Sequence, residues 1–214
     1  MNWMKKVAVA LVCLLPLGLQ AAKVDTLQVK SPSMNKSIEV VVVSPDVAAT
    51  KACPVIYLLH GYGGNARTWV GIKPDLPKIA DEKGIFFVCP DGKNTWYWDS
   101  PLNADVRYET FISNELVKYV DSHYKTVADR KGRAITGLSM GGHGAMWNGL
   151  RHSDVFSAAG STSGGVDIRP FPKNWEMSVQ IGEKAKYPEN WEKYTVINLV
   201  PTLRKDQIAL IFDC

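Results

Sequence analysis

Long apolar runs are scarce in this 214-residue chain, and the only one, Val7 to Leu19, has 13 residues. A membrane-spanning helix needs ~20 such residues, so no stable membrane anchor is expected. Charge of one sign is also missing. The formal net charge is +4, with 25 basic and 21 acidic residues spread evenly. That balance excludes a strongly basic nucleic-acid surface and offers nothing to an anionic membrane. Histidine is rare, four in all, and no histidine or cysteine cluster has metal-ligand spacing. Neither a metal site nor a nucleotide cofactor is expected, because the glycines at 61, 63 and 64 do not match a phosphate-binding loop. There is no internal repeat, no low-complexity tract and no linker long enough to divide domains.

What is present begins with a processing signal. Lys5 and Lys6 precede the apolar run, and Gln20-Ala21-Ala22 follows it with small residues suited to cleavage. Residues 1–21 are expected to be a secretory signal peptide, which makes the protein secreted or periplasmic and leaves one domain over 22–214. Cleavage takes the formal charge from +4 to +2. Export permits disulfides, but Cys53, Cys89 and Cys214 are odd in number and sit at the ends of strand-like apolar runs. Buried free thiols are the expectation.

Two β-rich stretches, Val24 to Val29 and Ile38 to Val43, flank the turn-forming run Ser31-Pro32-Ser33-Met34-Asn35-Lys36, which predicts an antiparallel hairpin. The rhythm then changes to continuous apolar runs, as in strands covered on both faces. These are Val55 to Leu59, Ile85 to Val88, Ala134-Ile135, Val155 to Ala159 and Ile208 to Phe212. Between them, Phe111, Ile112, Leu116, Tyr119, Val120 and His123 recur at helical spacing, and Asp75 to Lys83 predicts a shorter helix ended by Gly84. The pattern predicts an α/β fold, mostly parallel with an N-terminal antiparallel hairpin, with its site at the carboxyl ends of the strands. The proline- and tryptophan-bearing segment from Gly165 to Pro201 reads as an excursion over that site.

The chemistry concentrates in Gly137-Leu138-Ser139-Met140-Gly141. A Gly-x-Ser-x-Gly pentapeptide alone occurs by chance in roughly a tenth of chains this long. Here a strand precedes it and a helix-compatible run follows, the context of a nucleophile elbow that lifts a serine hydroxyl above a sheet. His60-Gly61-Tyr62-Gly63-Gly64, at the end of an earlier strand, supplies flexible backbone that can aim an amide at a developing oxyanion. The partner amide belongs to Met140, the residue after the serine. Trp96-Tyr97-Trp98 has two readings of equal standing, lining a substrate groove or packing its own loop.

These motifs, with Asp91-Gly92, Asp99-Ser100, Tyr108-Glu109-Thr110-Phe111-Ile112, Glu115-Leu116 and Gly142-His143-Gly144-Ala145, make the chain resemble the α/β-hydrolase superfamily. More closely it resembles the esterase D group, with its S-formylglutathione hydrolases, tributyrin and feruloyl-type esterases and mycolyltransferases. The resemblance runs from about Ile38 to Cys214. It implies that Ser139 is the nucleophile and that the Tyr62 and Met140 amides form the oxyanion hole.

Such a fold orders its triad as serine, acid, histidine. Only His143 and His152 follow Ser139, four and thirteen residues on along the same helix, so both are expected to be structural, as are His60 and His123. By resemblance the catalytic aspartate follows a strand like Ile208 to Asp213, so triad acid and histidine are expected to be absent and the sheet to lack its last strand and helix. The sequence therefore reads as the N-terminal part of a secreted serine esterase, inactive as this fragment. Its substrate would be a small-molecule or polysaccharide-linked ester. Two other readings stand beside it: a non-catalytic carbohydrate- or lipid-binding homologue, and an acyltransferase using the same residues.

Overall fold

The computed structural model describes residues 22–213. The expected signal peptide, Cys13 and Cys214 lie outside the described residues. One seven-stranded sheet has the order β1-β2-β4-β3-β5-β6-β7. Its strands are β1 (Lys23–Ser31), β2 (Lys36–Ser44), β3 (Val55–Leu59), β4 (Phe86–Pro90), β5 (Arg133–Gly137), β6 (Ala158–Thr162) and β7 (Ala209–Asp213). β1 and β2 form the antiparallel hairpin and β2 joins β4 antiparallel, whereas every pairing from β4 through β7 is parallel.

Strand side chains alternate between faces, and in this sheet the alternation builds two separate cores. Val40, Val42, Val55, Tyr57, Leu59, Phe86 and Val88 enter one, and Val41, Val43, Leu58, Phe87 and Cys89 the other. Both faces are therefore apolar, which explains the continuous runs in the sequence. The second, smaller core is closed by α1 (Thr68–Ile72) and α2 (Leu76–Lys83), through Leu76 and Ala80. On the first face lie α3 (Tyr108–Thr110), a π turn at Phe111–Glu115, α4 (Leu116–His123) and α5 (Met140–Arg151), which contribute Phe111, Ile112, Leu116, Val120 and Trp147. The π turn inserts an extra residue into what the spacing predicts as one regular helix. Its Glu115 accepts hydrogen bonds from Ser31 Oγ (2.6 Å) and Ser33 N (2.8 Å), fastening the hairpin turn to the helix layer.

One strand is displaced from its expected position. The run Val155 to Ala159 predicts a strand, but β6 begins at Ala158. The amides of Val155 and Phe156 are used by the His152 carbonyl, closing the turn after α5. The Phe156 ring is drawn into the core, edge-on to Tyr57 at 5.7 Å. The excursion after β6 holds α6 (Met177–Ile181), α7 (Pro188–Lys193) and a 3-10 turn at Val196–Thr202. Among the described residues no helix is long and apolar enough to cross a membrane. Cys53 and Cys89 are buried free thiols, and burial raises both pKa values.

Candidate active site

β5 ends at Gly137 and α5 starts at Met140, so Ser139 occupies the turn between them with φ 55° and ψ −116°. A non-glycine residue in that region is strained, and such strain persists only where surroundings dictate it. Here the Ser139 amide donates to the Thr162 carbonyl (2.9 Å) and Leu138 N to the Leu59 carbonyl (3.2 Å), while His143 N closes the first helical turn on the Ser139 carbonyl (3.0 Å). Gly141 is required by packing, because a Cβ there would enter the Leu59 carbonyl group and lie 2.6 Å from the His60 oxygen.

The loop after β3 comes close to this turn. A Cβ on Gly61 would lie 3.3 Å from the Leu138 oxygen and 3.6 Å from Ser139 Cβ. His60 fixes the loop: its Nδ1 pairs with the Gly61 carbonyl (2.7 Å) and its Nε2 accepts from Gly92 N (2.9 Å), tying the ends of β3 and β4 together. The amides of Tyr62 and Met140 have no acceptor among the described residues. Tyr62, Ser139 and Met140 share a cavity of about 290 Å³ with Trp96, Ser163, Gly164, Gly165, Asp167, Ile168, Phe171, Trp175 and Met177.

The aromatic triplet divides. Trp96 lines the cavity, as the groove reading has it, whereas Tyr97 and Trp98 do not and pack the loop, as the other reading has it. Tyr97 is wholly buried, donates its hydroxyl to the His60 carbonyl (3.0 Å) and presses its ring against Gly92 and Gly144. Trp98 is wholly buried and donates its indole N–H to His143 Nε2 (2.9 Å). Backbone geometry causes the split, since Trp96 and Tyr97 both have φ near 60° and the chain reverses under the loop.

The four histidines are all engaged away from Ser139 Oγ. With Trp98 donating to Nε2, the Nδ1 of His143 carries the proton and donates to the Gly165 carbonyl (2.7 Å). Burial lowers its pKa from 6.5 to about 4, against a smaller raising effect of the Gly165 bond. His143 is therefore a neutral wedge under the elbow with no lone pair to spare. His152, the residue after α5, bonds Glu109 (2.8 Å), roughly 20 Å along the helix from the serine. His123 stacks on Tyr119 at the end of α4, next to Phe86 at the start of β4 and so away from the carboxyl ends of the strands.

Asp167 is the carboxylate among the cavity-lining residues, and Arg169 holds it in a fork, Nε and Nη2 each 2.8 Å from a carboxylate oxygen. That pairing lowers its pKa, and Arg169 reaches on to Glu192 (2.8 Å). Asp167, Phe171 and Met177 carry no motif of their own in the sequence, and with Trp175 they belong to the Gly165 to Pro201 excursion. Among the described residues no three histidine, cysteine or acidic side chains converge as metal ligands.

A mostly parallel sheet entered by an antiparallel hairpin, with a serine on the strained turn between β5 and α5, defines an α/β-hydrolase fold. The chain belongs to the esterase family: the family model described as "Putative esterase" matches residues 31–210. An esterase of Mycobacterium tuberculosis is 30% identical over 149 residues, 66% of this chain and 32% of that protein. An acetyl esterase of Caldicellulosiruptor saccharolyticus is 32% identical over 102 residues, 47% of this chain and 37% of that one. The chain thus matches about a third of the length of these curated relatives. Among solved structures, a ferulic acid esterase is similar at a TM-score of 0.72 and 28% identity, covering 91% of this chain and 79% of its own.

Proposed function

We propose that this protein is an exported serine esterase that cleaves carboxylic esters through an acyl-enzyme on Ser139. The observation carrying the reading is one arrangement: a serine at φ 55° in a cavity also lined by Tyr62 and Met140, whose amides have no acceptor among the described residues. In the proposed reaction the Ser139 oxygen attacks the ester carbonyl carbon and its proton passes to a base. The carbonyl oxygen becomes an oxyanion between the two amides, and the C–O bond to the alcohol breaks as the alcohol takes up the proton. Water then releases the acid and restores the hydroxyl. Each amide would contribute roughly 3 kcal/mol to the transition state. The N-terminus of α5 adds its positive dipole beneath the same oxygen.

None of the four histidines offers Ser139 a free, adjacent ring nitrogen, and Asp167 is taken by Arg169. A serine without a base is a weak nucleophile, so turnover by residues 22–213 alone should be slow. The rings of Trp96, Phe171 and Trp175 with Ile168 and Met177 suit an apolar acyl group, and the cavity's opening suits an ester borne on a small alcohol or a polysaccharide.

The same engaged histidines favour a second reading, a module that binds such ligands without cleaving them. Fluorophosphonate labelling and p-nitrophenyl acetate turnover separate the two, measured on this chain and on any longer product of the same gene. Labelling that disappears in Ser139→Ala supports the esterase. A failure of Ser139 to label in either form, with a carbohydrate or lipid ester still bound, favours the binding module.

A further inference from the structure

The loop carrying Tyr62 is fastened to the excursion after β6 by two linked hydrogen bonds that none of the motifs explains. Gly63 N donates to Asn94 Oδ1 (2.9 Å), and Asn94 Nδ2 donates to Glu176 Oε2 (3.3 Å). The Glu176 carboxylate also raises the pKa of the Tyr62 phenol, with a lesser contribution from burial. Thus Glu176, the residue before α6, reaches Gly63 in the loop after β3 through Asn94 in the loop after β4.

The backbone that delivers Glu176 is unusual. Trp175 and Glu176 have φ of 50° and 52°, a left-handed pair without glycine. Each such residue costs of order 1 kcal/mol, so the pair needs external restraint to persist. One restraint is the indole N–H of Trp96 donating to the Trp175 carbonyl (3.1 Å), and the other is the Asn94 bond to Glu176. The strained turn also sets Trp175 on the cavity wall, its ring tilted against Trp96 at 6.3 Å. Gly63 has φ 76°, so the loop bends at the point where Asn94 holds it.

We propose that Glu176 is a positioning residue for the Tyr62 amide, acting through Asn94 on the adjacent Gly63 amide to hold the loop over Ser139. The proposal rests on the reading of that amide as an oxyanion donor. It gives the excursion a second task besides walling the cavity, since its fastening and the geometry of the hole become one property. A loop free of Glu176 would keep Gly61 against the elbow, where backbone packing holds it, and would lose the direction of the Tyr62 N–H.

The test is amide hydrogen exchange across residues 61–64 in the whole chain, comparing wild type with Glu176→Ala, Glu176→Gln and Asn94→Ala. Glutamine keeps an acceptor for Asn94 and alanine does not. Exchange should rise about fivefold in Glu176→Ala and Asn94→Ala, the factor one lost hydrogen bond carries, and stay within about twofold of wild type in Glu176→Gln. The Tyr62 phenol should titrate lower in both Glu176 variants, because each removes the carboxylate charge. Where Ser139 reacts with a fluorophosphonate, Glu176→Ala should slow labelling about tenfold while Glu176→Gln restores most of the rate. Unchanged exchange at 61–64 in Glu176→Ala overturns the proposal, and so does equal acceleration across the whole chain without rescue by glutamine. A wild-type serine that never labels refutes the esterase reading instead, and the exchange data still decide whether Glu176 holds the loop.

Discussion

His143 should make this protein lose stability as the pH falls below about 6.5. The ring is fully buried, accepts the Trp98 indole proton on Nε2 and donates from Nδ1 to Gly165. Protonating Nε2 would break the first bond and place a cation in the core beside the positive end of α5. Burial accordingly depresses the pKa from 6.5 to about 4. The sign follows from proton counts. Between those values the unfolded chain binds a proton that the native state refuses, so stability falls as pH drops from 6.5 toward 4. Above 6.5 neither state binds it, and the group contributes no pH dependence. At about 1.4 kcal/mol per pH unit, the loss should be roughly 3 kcal/mol below pH 4 and roughly 2 kcal/mol at pH ~4.5. Urea unfolding followed by tryptophan fluorescence, at about pH 7 and about pH 4.5, measures it in wild type and in His143→Asn. Glu109 does not confuse the comparison. Its lowered pKa contributes stability that is fully present above its ordinary 4.5 and is lost as pH falls through its lower native value. The variant should be less stable at neutral pH, with the acid-dependent loss nearly removed. Parallel pH profiles for the two proteins would refute the reasoning.

Gly141→Ala should cost more than about 3 kcal/mol, because its Cβ meets the Leu59 and His60 backbone, which no rotamer change can move. A fall in the urea midpoint together with loss of Ser139 labelling is the expected result. Glu109→Ala should cost about 3 kcal/mol in the same unfolding assay, since it strips a buried carboxylate from Trp147 (2.7 Å), Arg151 (2.8 Å) and His152 (2.8 Å) at once.

Glu109 also shows what pattern reading missed. The run Tyr108 to Ile112 was recognisable as part of a family motif, but its carboxylate works on residues around forty positions away in α5, and nothing local marks that. The three-ring motif behaves similarly. Trp96, Tyr97 and Trp98 are adjacent and chemically alike, yet left-handed backbone at the first two sends one ring to the cavity and two into the core. Val155 and Phe156 look like strand because branched and aromatic residues favour it. The helix terminus before them uses their amides first, so β6 starts later.

The strand rhythm, the hairpin, the turn at Ser139 and the glycine loop after β3 are all legible along the chain. Each follows from side-chain periodicity or from backbone that only small residues allow, and those are properties of neighbours along the chain. Which groups share the cavity with Ser139, that Arg169 occupies Asp167, that His143 is a neutral wedge, and that Glu176 reaches the loop of Tyr62 through Asn94 emerge only from the folded chain. These depend on distances between segments tens of residues apart, set by how two cores close on one sheet. Ser139 is legible because its strain is local, and its partners are not, because their placement belongs to the whole fold.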